Sequence, residues 1–313
     1  TRGIGFYEQY KAEEYLGSYG IFTDTPIVSD LIRRRWLDNH FFGTIGSANY
    51  LSDNKRLDVT IGGAASRYLG DHYGTIHDVL LYNPPPHDHR YYDDEGKKTD
   101  ANIFSKIQYR LTPGLFGFLD LQARRVIYDV STLIDPFDPD NADTRETNAD
   151  YLFFNPKAGL FYEANENVSI YASFAVAQKE PNRNGFTDAP AGQVPNPERL
   201  YNTEAGLKYS DQRVAIGFNF YHMYYHDQLV LTGNINDTGA PIRINVPNSY
   251  RMGVELAAKA QLGQHLVADA NATFSDNKIK AFTEYVDDWD SGEQVAFERD
   301  GTDIAFSPNI VAF

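Results

Sequence analysis

Val214-Ala-Ile-Gly-Phe-Asn-Phe-Tyr-His-Met-Tyr-Tyr-His-Asp-Gln-Leu-Val-Leu231 decides how the chain is read. The even positions from Val214 are Val214, Ile216, Phe218 and Phe220; the odd ones are Ala215, Gly217, Asn219 and Tyr221. A period of two marks a strand with two different faces. One face carries large apolar groups, the other small and polar ones. A soluble sandwich normally sets long charged side chains on its outer face. Here that face holds Gly, Ala and Asn, and the stretch ends in Tyr221, Tyr224 and Tyr225. Aromatics gathered where an apolar band stops suggest a membrane interface. A tilted spanning strand needs roughly 9–11 residues, and this alternation is long enough.

The whole chain fits that reading. It has 313 residues, 22 Tyr and 20 Phe, and a formal net charge of -15. Mean hydropathy is -0.48, and no run approaches the ~18 apolar residues of a membrane-spanning helix. A spanning barrel has the same profile, because only every second residue of each strand meets lipid. The acidic balance argues against nucleic acid, whose phosphates require Lys and Arg. The absence of Cys excludes disulfides and thiolate metal sites. The chain starts mid-pattern at Thr1-Arg2-Gly3 and reads as part of a longer one.

The same alternation recurs along the sequence. Leu57, Val59 and Ile61 oppose Asp58, Thr60 and Gly62; Leu119, Leu121 and Ala123 oppose Asp120, Gln122 and Arg124. Thr203, Ala205 and Leu207 oppose Glu204, Gly206 and Lys208; Met252, Val254, Leu256 and Ala258 oppose Arg251, Gly253, Glu255 and Lys259. About 12 strands are predicted, the last ending at Phe313. Short turns fall near residues 53, 113, 166, 211 and 263, and long connections near 25, 85, 140, 190, 240 and 292. Gly70 to Thr99 is expected to be one of the long loops. The predicted fold is all-β, an antiparallel transmembrane β-barrel segment with short turns on one rim and long loops on the other. Charged residues opposite unbroken apolar rows cost roughly 2–4 kcal/mol per Arg or Lys if they meet lipid at mid-depth. Asp120, Gln122, Arg124, Glu204, Lys208, Arg251, Glu255 and Lys259 are therefore expected to line a wet or protein-filled lumen.

Several stretches resemble the barrel of TonB-dependent outer-membrane receptors of the Bacteroidetes type. They include Arg34-Arg35-Trp36-Leu37-Asp38-Asn39, Asp120-Leu121-Gln122-Ala123-Arg124, Phe154-Asn155-Pro156-Lys157-Ala158-Gly159, Lys179-Glu180-Pro181-Asn182-Arg183 and Asn248-Ser249-Tyr250-Arg251-Met252-Gly253-Val254-Glu255. The resemblance runs in order along nearly the whole chain. It implies a 22-stranded barrel around an N-terminal plug, placed in the bacterial outer membrane. It also implies import of scarce nutrients such as iron-siderophores, haem, cobalamin or glycans, energised through TonB. No plug or TonB-contacting box is visible in residues 1–313, so the chain is placed as the middle of such a barrel, with strands missing at each end. The implied partners are outer-membrane lipid, the TonB complex through a plug outside this chain, and a small-molecule or oligosaccharide cargo. In this setting the lumen residues would hydrogen-bond the plug or line an exit path.

No catalytic constellation is visible: there is no Gly-rich phosphate loop, no G-x-S-x-G and no His-Glu-x-x-His helix. The chain is read as a transporter and not an enzyme, with no cofactor and no metal site. His87, His89, Arg90, Tyr91 and Tyr92 are candidate cargo contacts in a long extracellular loop. His87 and His89 flank Asp88, a ligand set that borderline metals accept only on a fixed backbone, so a solvated loop is the reading preferred there. His222 and His226, about 13 Å apart on one strand face, do not chelate one ion. The remaining readings are a passive porin or structural barrel, an outer-membrane barrel enzyme, and a soluble glycan-binding β-protein.

Overall fold

The computed structural model describes residues 2–86, 89–133, 144–187, 194–235, 241–288 and 293–304. The strands are β1 (Arg2–Tyr15), β2 (Val28–Leu51), β3 (Leu57–Val79), β4 (Arg90–Thr112), β5 (Leu115–Leu133), β6 (Thr144–Phe154), β7 (Lys157–Glu163), β8 (Val168–Lys179), β9 (Glu198–Ser210), β10 (Val214–Ile235), β11 (Pro241–Gln261), β12 (Val267–Asp288) and β13 (Glu293–Asp303). A 3₁₀ turn (Leu16–Tyr19) and one short helix, α1 (Arg183–Thr187), are the helical elements among the described residues. The strands pair in sequence order, and β6 pairs with β5 beside β7.

There are thus 13 strands but 12 positions along the ladder. The extra element arises at Asn155-Pro156. Pro156 has no N–H to give to the ladder. The Asn155 N–H still reaches the Gln122 carbonyl at 2.9 Å, and its side-chain oxygen accepts the Gln178 N–H at 3.0 Å. β6 and β7 are one spanning strand with an interruption.

Contacts divide the chain into two compact units. One comprises Thr1–Ile45, Ala64–Ala101 and Arg125–Tyr151; the other comprises Gly46–Gly63, Asn102–Arg124 and Leu152–Phe313.

In the second unit the register sorts side chains by row. One face carries Leu115, Tyr162, Ile170, Leu207, Phe218, Leu256 and Ala272, all opposite one another across successive strands. The next row carries Gly117, Leu160, Ala172, Ala205, Phe220, Val254 and Phe274. Ile170, Leu207, Phe218 and Leu256 remain 41–44% exposed, so no second layer covers them. Above these rows Tyr201, Tyr224 and Tyr250 stand side by side, followed by Lys278. At the lower edge Tyr162 ends the first row, and Tyr209 stands one row below it on the same face. Tyr250 donates to Asp276 at 2.8 Å and Tyr209 to Asp211 at 2.6 Å, so each phenol meets a polar partner. Tyr209 and Tyr201 are eight residues apart on β9, about 26 Å along a strand and about 20 Å in height at a tilt near 40°. That matches the apolar band between aromatic girdles of a membrane barrel, about 25 Å tall.

The opposite face explains its glycines. A Cβ on Gly206 would fall 2.4 Å from the Tyr171 ring, one on Gly159 2.6 Å from Phe118, and one on Gly62 2.7 Å from Phe104. On Gly253 it would strike the Phe274 carbonyl at 2.4 Å and the Tyr221 hydroxyl at 2.7 Å. Phe118, Tyr171 and Tyr221 lie directly opposite Gly159, Gly206 and Gly253. Each ring lies flat over a neighbour that has no side chain. This is why the second face of the repeating pattern is built of small residues.

The short connections form by local side-chain capping. Asn165 accepts the N–H groups of Asn167 and Val168, and Asp211 those of Arg213 and Val214. The Tyr209 hydroxyl, then those two amides, hold the Asp211 carboxyl below the ordinary carboxylate value.

At the other end the strands run further than the sequence predicted. β3 continues to Val79 and β4 starts at Arg90, so the expected loop over Gly70 to Thr99 shrinks to 80–89. The cause is a local core in the first unit. Leu16, Tyr19, Ile21, Leu31, Ile76 and Val79 pack together, with the β1–β2 connection folded against these strand ends. The last strand among the described residues, β13, ends at Asp303; the expected strand end at Phe313 lies outside the described residues. Asp287 and Asp288 close β12, just before the long connection expected near 292.

Candidate functional site

The polar face of the second unit places the expected lumen residues in adjacent rows. Asp120 stands opposite Lys157, then come Ala175, Asn202, Met223, Arg251 and Asn277. The next row holds Ser173, Glu204, Tyr221 and Gly253, and the one below it Tyr171, Gly206, Asn219 and Glu255. Lys208 stands opposite Gly217, and Lys259 opposite Ala215 and Asp269. The predicted residues Asp120, Glu204, Lys208, Arg251, Glu255 and Lys259 therefore share one face.

Hydrogen bonds tie part of this face together. The Tyr171 hydroxyl donates to Asn219 at 2.7 Å, and the Asn219 amide donates to Glu255 at 3.0 Å. The Asn202 amide donates to Glu204 at 2.7 Å. Neither Glu204 nor Glu255 meets a cation among the described residues. Arg251 is the converse: its guanidinium lies 6.0 Å from the centre of the Tyr225 ring, and its Nε is buried without a hydrogen-bond partner. The Asn202 side-chain oxygen is likewise buried and unpartnered. Both residues flank Met223 in the register. A buried donor and acceptor with no partner are costly, by about 1–3 kcal/mol each. The face has unmet polar capacity.

Gln122 and Arg124 are used differently. Gln122 accepts from the Asn155 amide at 3.1 Å. Arg124 makes a two-pronged pair with Glu180, both contacts at 2.9 Å, and the Glu180 side chain is only 7% exposed. Arg124 thus pins the start of the β8–β9 connection, beside Pro181 and Phe186, which are buried. Glu180, Asn202 and Asn219 were not singled out from sequence. Glu180 had a visible signal, since Lys179-Glu180-Pro181-Asn182-Arg183 was one of the resembling stretches; Asn219 had one in its odd position on the polar face of Val214 to Leu231, and Asn202 is in phase with Glu204.

Past the tyrosine row of β10, Asp227 adopts φ 54°. Gln228 then accepts a hydrogen bond from Ser249, which shares the face of Arg251, at 2.6 Å. Val230, Val246, Ile279 and Ile304 pack into a small buried cluster.

The second group of candidates belongs to the first unit. His87 lies outside the described residues. His89 donates from Nε2 to the Tyr19 carbonyl at 2.8 Å. Arg90, Tyr91 and Tyr92 stand on β4 and not in a loop, because the ladder continues to Arg90. Tyr91 packs edge-on against Tyr19 and Tyr92, both at 5.1 Å. Burial raises the Tyr19 phenol above its ordinary value. Arg90 is exposed; it lies 4.0 Å over the Tyr73 ring and pairs with Asp93. His89 and Tyr91 are engaged in holding the β1–β2 connection, which leaves Arg90, exposed, and Tyr92, half-buried. His222 packs near Tyr250 and His226 near Tyr224, and no group of three or more metal-ligating side chains occurs among the described residues.

Residues 3–311 match the family model described as TonB dependent receptor-like, beta-barrel. No curated protein matches the chain by sequence. Among solved structures it is similar to the siderophore receptor PiuA from Acinetobacter baumannii, at 17% identity and TM-score 0.62 over 88% of this chain and 43% of that one. It is also similar to the ferric-catecholate import receptor Fiu from E. coli, at 18% and 0.59 over 91% and 44%. The alcaligin outer-membrane receptor FauA from Bordetella pertussis matches at 16% and 0.54 over 80% and 42%. The chain therefore spans less than half the length of the structures it resembles. With two-faced strands, paired aromatic rows and a family match along almost its whole length, the chain belongs to the TonB-dependent receptor-like β-barrel family of the bacterial outer membrane.

Proposed function

We propose that the parent protein is an active importer of a scarce nutrient, energised through TonB, and that residues 1–313 form part of its barrel wall. A plug outside this chain sits against the polar face, and cargo enters past the long-connection rim. The observation that carries this is the polar face itself. Arg251 Nε and the Asn202 oxygen are buried without partners, and Glu204 and Glu255 are uncompensated. The partnerless Arg251 Nε and Asn202 oxygen, and the Glu204 and Glu255 carboxylates without cations, suit a protein filling that contributes donors and acceptors to this face. Asp120, Lys208 and Lys259 extend the same surface. Among cargoes we place an iron chelate first, in line with the siderophore and ferric-catecholate receptors whose fold the chain shares. Arg90 and Tyr92 are the cargo contacts this reading retains from the extracellular group.

The test is uptake of a labelled ferric siderophore by cells expressing the full-length receptor, with and without TonB. Uptake that disappears without TonB, and falls in an Arg251→Gln/Glu255→Gln double variant that still folds, supports the proposal. Flux that persists without TonB and scales with solute size identifies a passive porin instead.

A further inference from the structure

The apolar face carries a feature that import does not require. One row above Tyr201 and Tyr224, in strand register, stand Gln178 on β8, Arg199 on β9, His226 on β10 and Asn248 on β11. Lys280, two residues beyond Lys278 on β12, lays its ammonium 5.0 Å over the Tyr224 ring. Arg199, His226 and Lys280 are all exposed. They point the same way as Leu207, Phe218 and Phe274, because each lies an even number of residues from its apolar-face neighbour. Lys278 is neutralised by Asp303, and Asp276 is engaged by Tyr250. Among the described residues Arg199 has only the Gln178 amide oxygen, at 3.5 Å, and Lys280 only the Tyr224 ring. Two uncompensated cations are unusual in a chain with a net charge of -15.

A second feature lies along the same strands. A shallow hollow of about 680 Å³ opens on the apolar face between Leu119, Leu160 and Phe174, over Ala158, Ala172 and Ala205. Ala205 is six residues from Arg199 on β9, and Ala172 six from Gln178 on β8, about 20 Å at a strand's rise. The small side chains leave a trough in the hydrocarbon belt below the cations.

We propose that this surface holds one phosphorylated lipid of the outer leaflet. Its phosphate sits at Arg199 and Lys280, with His226 and Asn248 as further donors, and an acyl chain lies in the alanine-lined hollow. The chemistry is complementary at each level: cations above the aromatic girdle meet the headgroup, and the apolar trough below meets the tail. The site is independent of what the protein carries.

The experiment titrates full-length receptor in detergent with bisphosphorylated lipid A and with the same lipid stripped of phosphate, counting bound lipid by native mass spectrometry. Two cations at a membrane surface give a preference for the phosphorylated form of roughly thirtyfold. The Arg199→Gln/Lys280→Gln variant, checked for folding by its gel mobility without heating, should lose that preference. Arg213→Gln, which removes one charge in a short turn at the other rim, should keep it. The proposal is overturned by a wild-type protein that does not discriminate, by a double variant that still does, or by equal loss in Arg213→Gln. It is also overturned if millimolar inorganic phosphate displaces the lipid, since the site would then take a free anion.

Discussion

Arginine in place of Leu256 is expected to destabilise the folded receptor by about 2–4 kcal/mol in a bilayer. Leu256 stands opposite Phe218 and Ala272 in the middle of the apolar rows, and it is 44% exposed with no protein over it. In detergent-free lipid its only neighbours beyond the sheet are acyl chains. A guanidinium there loses its water and gains no partner. Arginine at Ala257, one residue along and on the opposite face beside Gly217 and Asn271, is expected to shift the unfolding midpoint far less. Urea or guanidinium titration of both variants in vesicles makes the comparison. Similar losses at the two positions would mean that neither face meets lipid.

Removing Glu180 should cost about 3 kcal/mol, at the lower end for a broken buried ion pair because Arg124 keeps some contact with water. Glu180→Ala leaves the Arg124 guanidinium at 21% side-chain exposure without its two-pronged partner. Taking away Arg124 as well removes the charge that had faced Glu180. The Arg124→Ala/Glu180→Ala double variant should therefore be more stable than Glu180→Ala alone. A double-mutant cycle with additive losses would show that the pair does not hold the β8–β9 connection in place.

The two-faced character of the strands was legible because a period of two is a local signal, and Val214 to Phe220 states it without interruption. Rim asymmetry was legible for the same reason: Asn165 and Asp211 cap their turns with their own side chains. The upper strand ends were not. Whether Tyr68 to Val79 continues a ladder depends on Leu16, Tyr19 and Leu31, which are distant in sequence and pack on it only once folded. Nor could spacing tell that Arg124 would turn to Glu180, 56 residues away, while Arg251 meets no anion among the described residues. The interruption at Pro156 was visible as a residue but not as a break, since the neighbouring alternation reads straight through it.

Everything rests on which face meets hydrocarbon. Residues 1–313 hold no Cys, so once any cysteine elsewhere in the full-length receptor is replaced by serine, single cysteines from Tyr250 to Ala258 can each carry one nitroxide label in vesicles. Oxygen, which concentrates in lipid, should relax the labels at 252, 254, 256 and 258 most strongly, with a polar nickel chelate showing no such preference for them, and the labels at 251, 253, 255 and 257 should show low oxygen access. Access without a two-residue period, or with the two sets exchanged, would contradict the assignment of lipid to the face of Leu256.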